Sequence, residues 1–226
     1  MRIKNRLKRW GKLRFFIFYP FGFFIIFSAT PDDHSIMAGI WFIAAGLLIR
    51  LWANGYAIKL DKLTVCGPYA YLRHPLYFGT MLLALGFMIM LKIHYIGAFF
   101  LILLSLIYYR TIKKEEAMLK DKFGQVYSDY KKNVPAILPI KFFPYKKGEK
   151  WPFSLERLIK SQEYKLFLWV IVVVIIFHLK EELLVEREAL DFKFWIFLGV
   201  SLLFISIDLG GEWIKYKRRK RLSQVR

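Results

Sequence analysis

The sequence predicts an all-α, polytopic membrane protein with about six transmembrane helices and both termini in the cytoplasm. Three observations carry that prediction. First, the chain of 226 residues is 57% hydrophobic, yet it holds 36 Lys+Arg against 17 Asp+Glu, a net charge of +19. A soluble domain of this length could not bury so much apolar surface. A disordered chain would not be 19% aromatic, and a nucleic-acid binder would explain the charge but not the Phe-rich runs. Second, six apolar runs free of Asp, Glu, Lys and Arg occupy about 15–31, 35–49, 74–91, 93–109, 166–179 and 194–207. Third, apart from the single-residue turn at Lys92, the sign of the charge between them alternates with each crossing, basic on the side facing the cytoplasm.

Taken in order, the tail 1–14 has seven basic residues and no acid, and the loop after the first run is Asp32-Asp33-His34. The stretch 54–73 carries Lys59, Lys62 and Arg73 against Asp61; the turn at Lys92 is short. The segment 110–165 has 14 basic and seven acidic residues, the loop 180–191 has five acids and two bases, and the tail 213–226 has seven bases and no acid. The runs are shorter than the roughly 20 residues that span a bilayer, so each extends into its flanks. Trp10, Trp41, Trp52, Trp169, Trp195 and Trp213 lie near several ends, where interfacial aromatics belong. The first run lacks a convincing small-x-small cleavage site, so it reads as a span and not as a removable signal. A Lys-rich stretch holding Pro144 and Pro152 divides a core, 1–143, from a C-terminal extension, 144–226. The single cysteine, Cys66, permits no internal disulfide, and His34, His74, His94 and His178 are too scattered for a zinc pattern, so no metal is expected.

The densest unusual sequence is Gly67-Pro68-Tyr69-Ala70-Tyr71-Leu72-Arg73-His74-Pro75-Leu76-Tyr77-Phe78-Gly79. Gly67-Pro68 reads as a turn. Pro75 suits the first position of a helix, with His74 at its N-cap. Helix N-termini favour anionic groups, and the Arg73 fork suits a carboxylate or phosphate. The alternative is an interfacial anchor, with Arg on lipid phosphate and Tyr in the aromatic belt.

A second cluster follows the fourth run: Arg110, Lys113-Lys114-Glu115-Glu116, Leu119, Phe123-Gly124, Tyr127, Tyr130, Val134-Pro135 and Pro139. Its carboxylate pair can hold an ammonium, accept a proton or balance the lysines, and Phe123-Gly124 predicts a helix break. Alone, it also reads as an amphipathic helix lying on the membrane surface with its charges solvated. Together, the two clusters supply what a zwitterionic, aromatic ligand such as S-adenosylmethionine needs: donors for a carboxylate, acceptors for an amine, and rings for a base and a positive centre. None of the 14 glycines forms Gly-x-Gly, which removes the usual nucleotide loops.

These two motifs, in this order, resemble the isoprenylcysteine carboxyl methyltransferase family, within the wider group of membrane phospholipid methyltransferases. The resemblance covers about 36–140. It implies an integral membrane enzyme that binds S-adenosylmethionine at the cytoplasmic side and methylates a lipid or lipid-modified acceptor. By motif position, His74, Tyr77, Gly79, Glu115, Glu116, Tyr127 and Tyr130 would bind the cofactor. Glu115 and Glu116 would take its ammonium, and Tyr127 and Tyr130 would help form a cytosolic cap segment over about 110–143 of the core. Arg73 would orient the acceptor and, with Glu115, stand at the chemistry, Glu115 or Glu116 serving as base if the acceptor is an amine. A lipid tail would enter between helices, among which Ala44, Ala45, Gly46, Ala53, Gly79, Ala84 and Gly86 allow close contacts. The extension departs from the family pattern; its basic run 215–221 suits anionic lipid at the cytoplasmic face. The expected setting is a multi-pass protein of a prokaryotic cytoplasmic membrane, with no nucleic-acid partner. An NADPH-dependent sterol-reductase-like enzyme and a non-enzymatic membrane scaffold are the competing readings.

Overall fold

The structure, a computed structural model, describes residues 29–58, 62–140 and 143–180, together with the single positions Trp195, Gly199, Leu202 and Ser206. Most of the first expected span, most of the last, the loop from 181 to 191 and both termini lie outside the described residues. Among the described residues every regular element is helical: α1 (Asp33–Tyr56), a 3-10 turn (Gly67–Ala70), α2 (Pro75–Met90), α3 (His94–Asn133), α4 (Leu155–Ser161) and α5 (Glu163–Lys180). Two of these, α1 and α3, are long and apolar enough to cross a membrane, while α2 is a shorter apolar helix of 16 residues.

Local chemistry sets each boundary. Asp32 caps α1: its carboxylate accepts from the Ser35 amide at 2.8 Å, and the Ser35 hydroxyl accepts from the Asp32 amide at 3.0 Å. That hydroxyl also donates to the Met90 carbonyl at 3.0 Å, tying the start of α1 to the end of α2. Pro75 opens α2 with His74 as its N-cap, as the sequence predicts. Along the crossing of α1 and α2 the backbones touch. A Cβ on Gly46 would sit 2.6 Å from the Gly79 carbonyl oxygen, and one on Gly39 would sit 2.6 Å from that of Gly86. Helices in lipid gain little from burying apolar side chains, so close backbone approach supplies the packing instead.

α3 runs 40 residues, well past its apolar part, and breaks once at Gly124, whose φ of 54° and ψ of −125° lie outside the helical region. A residue with a Cβ is strained there although nothing lies within 4 Å of the position. The break turns the last two turns of α3 so that Tyr127, Tyr130 and Val134 bury against Val65, with Leu119, Phe123 and Tyr145 around them.

The extension is not a loose appendage. The last carbonyls of a helix have no partner within it, and here the extension supplies partners at the end of α1. Trp151 Nε1 donates to Tyr56 O at 2.8 Å, Ser154 N to Gly55 O at 3.0 Å and Arg157 Nε to Gly55 O at 2.9 Å. Gln162, at φ 62°, makes a left-handed corner between α4 and α5. α5 then lays Val170 and Phe177 against Ile43, Leu47 and Leu83 of the α1–α2 pair.

Candidate functional site

The two sequence motifs meet through their backbones. The Arg73 amide donates to Pro135 O and the His74 amide to Ala136 O, both at 2.9 Å, and the Tyr130 hydroxyl donates to Tyr69 O at 2.6 Å. A chain segment some 60 residues downstream thus closes over the start of α2.

Beneath it lies a charged knot. Arg73 Nη2 is 2.6 Å and Nε 3.0 Å from Glu116 Oε1, while Nη1 donates to the carbonyls of Lys131 at 2.8 Å and Val134 at 2.6 Å. Lys131 Nζ takes the other Glu116 oxygen at 2.7 Å. The Glu116 side chain is only 6% exposed. Burial alone would raise its pKa, but the hydrogen bonds from Lys131 and Arg73 outweigh that and hold the carboxyl below the usual carboxylate range. The sequence expects Arg73 to meet the acceptor and Glu116 to meet the cofactor. In the structure each is committed to the other, and Arg73 has spent its fork on backbone carbonyls that no ligand releases cheaply.

Above the knot opens a cavity of about 410 Å³, within the range of small-molecule sites, roughly 300–1,000 Å³. Arg73, His74, Glu115, Tyr127 and Tyr130 line it, joined by Asn54, Tyr69 and Thr64, which sequence reasoning did not assign. Tyr69 stands in the quoted motif and could have been marked. Asn54, an amide at the end of an apolar run, was the other available signal. Tyr77 reaches the cavity indirectly: its hydroxyl donates to Glu115 Oε2 at 3.1 Å, and its ring stacks near His74 at 5.7 Å. Gly79 does not line the cavity; it is the crossing point where α2 meets Gly46 and the stem of Arg50. Glu115 is 39% exposed, unlike its neighbour.

Two buried polar atoms in the wall, His74 Nε2 and Tyr127 OH, make no hydrogen bond of good geometry and lie toward the Glu116 carboxylate. Unpaired buried groups of this kind are costly, and ligand sites are where they are retained. His74 Nε2 lies 3.5 Å from Glu116 Oε1 and Nδ1 lies 3.7 Å from Glu115 Oε2, so the ring sits between the two carboxylates. Burial pushes the phenols of Tyr69, Tyr127 and Tyr130 well above their ordinary pKa, helped at Tyr69 by Glu115 and at Tyr127 by Glu116. They stay neutral and act as rings and donors, not as bases. The residues fit a zwitterion bearing an aromatic base: an open carboxylate for an ammonium, an amide and a histidine nitrogen for polar edges, and aromatic faces for a cationic centre.

Comparison with known proteins points the same way. Residues 36–121 match the family model described as isoprenylcysteine carboxyl methyltransferase. The chain is 37% identical over 82 residues to a protein-S-isoprenylcysteine O-methyltransferase of Schizosaccharomyces pombe, covering 36% of this chain and 35% of that protein. It is 29% identical over 118 residues to the enzyme of the same description from Rattus norvegicus, covering 44% of this chain and 42% of that one. The chain therefore spans well under half the length of these curated relatives. No solved structure matches it. The stretch 36–121, which contributes Asn54, His74 and Glu115 to the cavity, is thus similar to the isoprenylcysteine carboxyl methyltransferase family, the resemblance that the two motifs carry.

Proposed function

We propose that the protein is an integral membrane methyltransferase that takes its methyl group from S-adenosylmethionine and gives it to a prenylated or otherwise lipid-modified acceptor. The observation that carries this reading is the cavity formed where the two family motifs meet, with one carboxylate open to it and two buried polar atoms awaiting partners. When bound, the cofactor supplies an electrophilic sulfonium methyl. Glu115 takes its ammonium, held in place by the Tyr77 hydroxyl. Asn54, His74 Nε2 and Tyr127 OH would meet its remaining polar edges, and the rings of Tyr69 and Tyr127 would offer aromatic faces to its positive centre. Glu116 and Lys131 hold the floor in shape, and Arg73 lines the wall with its fork already committed. The segment from Tyr127 to Ala136 shields the cavity from water, which lets a weak nucleophile compete for the methyl. A carboxylate acceptor needs no base. An amine acceptor would need Glu115, the more exposed of the two carboxylates, to take its proton.

The same reading places the protein in the membrane as a multi-pass helical chain of about six spans with both termini cytoplasmic. The apolar helices and the alternation of loop charge support it, as does the basic tail suited to anionic lipid. A prokaryotic cytoplasmic membrane is the setting it implies. A cysteine tag in the segment 181–188 reacts from outside under this topology, and protection there contradicts it. For the activity, transfer of labelled methyl from S-adenosylmethionine into a total membrane extract is the test. A base-labile label on a prenylated acceptor is expected. Label that appears only in base-stable lipid would point to an amine acceptor, and no transfer at all would overturn the reading.

A further inference from the structure

A second arginine, Arg50 of α1, is built differently from Arg73. Its Nε and Nη2 grip both oxygens of Glu163, the first residue of α5, at 2.7 to 3.1 Å. Its Nη1 donates to Leu76 O and to the Thr80 hydroxyl on α2. One face of the guanidinium is thus anchored to the helix pair, and the other holds a carboxylate side by side, in the geometry with which arginine recognises carboxylates and phosphates.

Neither charge lines a cavity itself, but residues beside the pair line two. On one side, Leu76 and Asn54 line the candidate cofactor cavity, and Asn54 Nδ2 donates to the Arg50 carbonyl. Tyr69 of that cavity feels the charges of both Arg50 and Glu163. On the other side lies an apolar cavity of about 650 Å³ between α2, α3 and α5. Ala84 and Leu166, one turn from Thr80 and Glu163, line its near end. Neither charge is sealed away: the side chains are 16% and 18% exposed.

Arg50 lies within the family segment 36–121, while Glu163 comes from the extension beyond it. Glu163 is delivered by the left-handed corner at Gln162, and α4 before that corner is pinned to the end of α1. The carboxylate therefore arrives on Arg50 by construction and not as a floppy side chain finding a nearby charge.

The geometry points to Arg50 as an anion seat at the lip between the apolar cavity and the cofactor cavity, held closed by the extension's own Glu163, which the anionic head of an apolar-tailed acceptor must displace. Glu163 is then a built-in competitor: it lowers the apparent affinity for an anionic acceptor by the fraction of time that it occupies the seat. An acceptor head with no charge has nothing to displace. The identity of the anion as a methyl acceptor rests on the proposed function, and the seat itself does not. A carboxylate on a prenylcysteine and a phosphate on a lipid headgroup share the required chemistry.

The test uses the full chain in nanodiscs and measures binding of three probes and of S-adenosylmethionine. The probes are N-acetyl-S-farnesylcysteine, its carboxamide, and phosphatidic acid. Glu163→Gln keeps a hydrogen-bonding group but removes the charge. It should tighten binding of the anionic probe by about tenfold, leave the carboxamide within about twofold and leave S-adenosylmethionine unchanged. Glu163→Asp keeps the charge but withdraws it by one methylene, and it should give a smaller gain of the same kind. This variant carries the test if the glutamine form does not fold. A gain confined to farnesylcysteine assigns the seat to a carboxylate acceptor, and one confined to phosphatidic acid assigns it to a lipid phosphate. Weakened or unchanged binding of both anions, or an equal gain for the carboxamide, overturns the proposal and makes Glu163 a structural brace. Wild-type protein that binds no S-adenosylmethionine but still shows the charge-selective gain would overturn the methyltransferase reading and leave the seat standing.

Discussion

Arg73 and Arg50 each hold a glutamate from a distant part of the chain at 2.6 to 2.7 Å, and they serve opposite ends. Arg73 completes its fork with two backbone carbonyls, and its glutamate is shared with Lys131. Each group in that knot is needed by the others, so it fixes the fold of the cap. Arg50 completes its fork on one carbonyl and one hydroxyl of a single neighbouring helix, and its glutamate pairs with no second cation among the described residues. The lesson is that an arginine–carboxylate pair is read by where the remaining donors go. Donors spent on the backbone of a second segment make a rivet, and donors spent on a packed helix leave a face that another anion can take.

The largest expected effect breaks the rivet. Arg73→Met should leave Glu116 with Lys131 alone and two carbonyls unpaired, costing about 3 kcal/mol, the low end of the range for removing one partner of a buried pair. Thermal unfolding in detergent should show it as a marked loss, while Glu163→Gln shifts the midpoint far less. Equal losses would erase the distinction between the two arginines. Next, Gly46→Leu should force α1 off the Gly79 carbonyl and cost about 1–3 kcal/mol through overpacking. Its signature is lost stability with no selective loss of ligand binding, since Gly79 packs and does not line the cavity.

A smaller effect belongs to Gly124. With open space around it, Gly124→Ala suffers only from its backbone conformation, a cost of more than about 1 kcal/mol. The damage should appear as faster hydrogen exchange over 125–136, with the midpoint nearly kept. The smallest effect is a pH dependence. Glu116 has a folded pKa below its ordinary value of 4.5. The unfolded chain therefore binds the proton first, and the knot's contribution is fully present above that value. It is lost as pH falls through the folded pKa. Stability of wild type should drop below about pH 4.5, and Glu116→Gln should flatten that part of the curve.

The comparison also explains what the sequence made legible. The start of α2 at Pro75 and the break at Gly124 follow from local backbone chemistry, and both were readable. The continuation of α1 past Arg50 to Tyr56 follows from the shortness of the apolar run, but the partner of Arg50 there, a glutamate 113 positions away, was not readable. No periodicity reveals a partner at that distance. The same blindness affected Arg73, whose fork looked available until Glu116 and the carbonyls at 131 and 134 closed on it. Glu115 and Glu116 are adjacent and chemically equal in the sequence. Helical geometry sends one toward the cavity and the other into the knot, and only the fold separates them. Gly79, in a motif dense with polar residues, read as part of a ligand site, although its lack of a side chain serves the helix crossing.

The central claim is that the cavity between the two motifs holds S-adenosylmethionine, with Glu115 on its ammonium. Calorimetric titration of the full chain in detergent tests it most directly. Wild type should bind with micromolar affinity. Glu115→Gln should weaken binding more than about tenfold while leaving the thermal midpoint in place, because Glu115 lies outside the knot. Undiminished binding by Glu115→Gln, or no binding by a folded wild-type protein, would contradict the account.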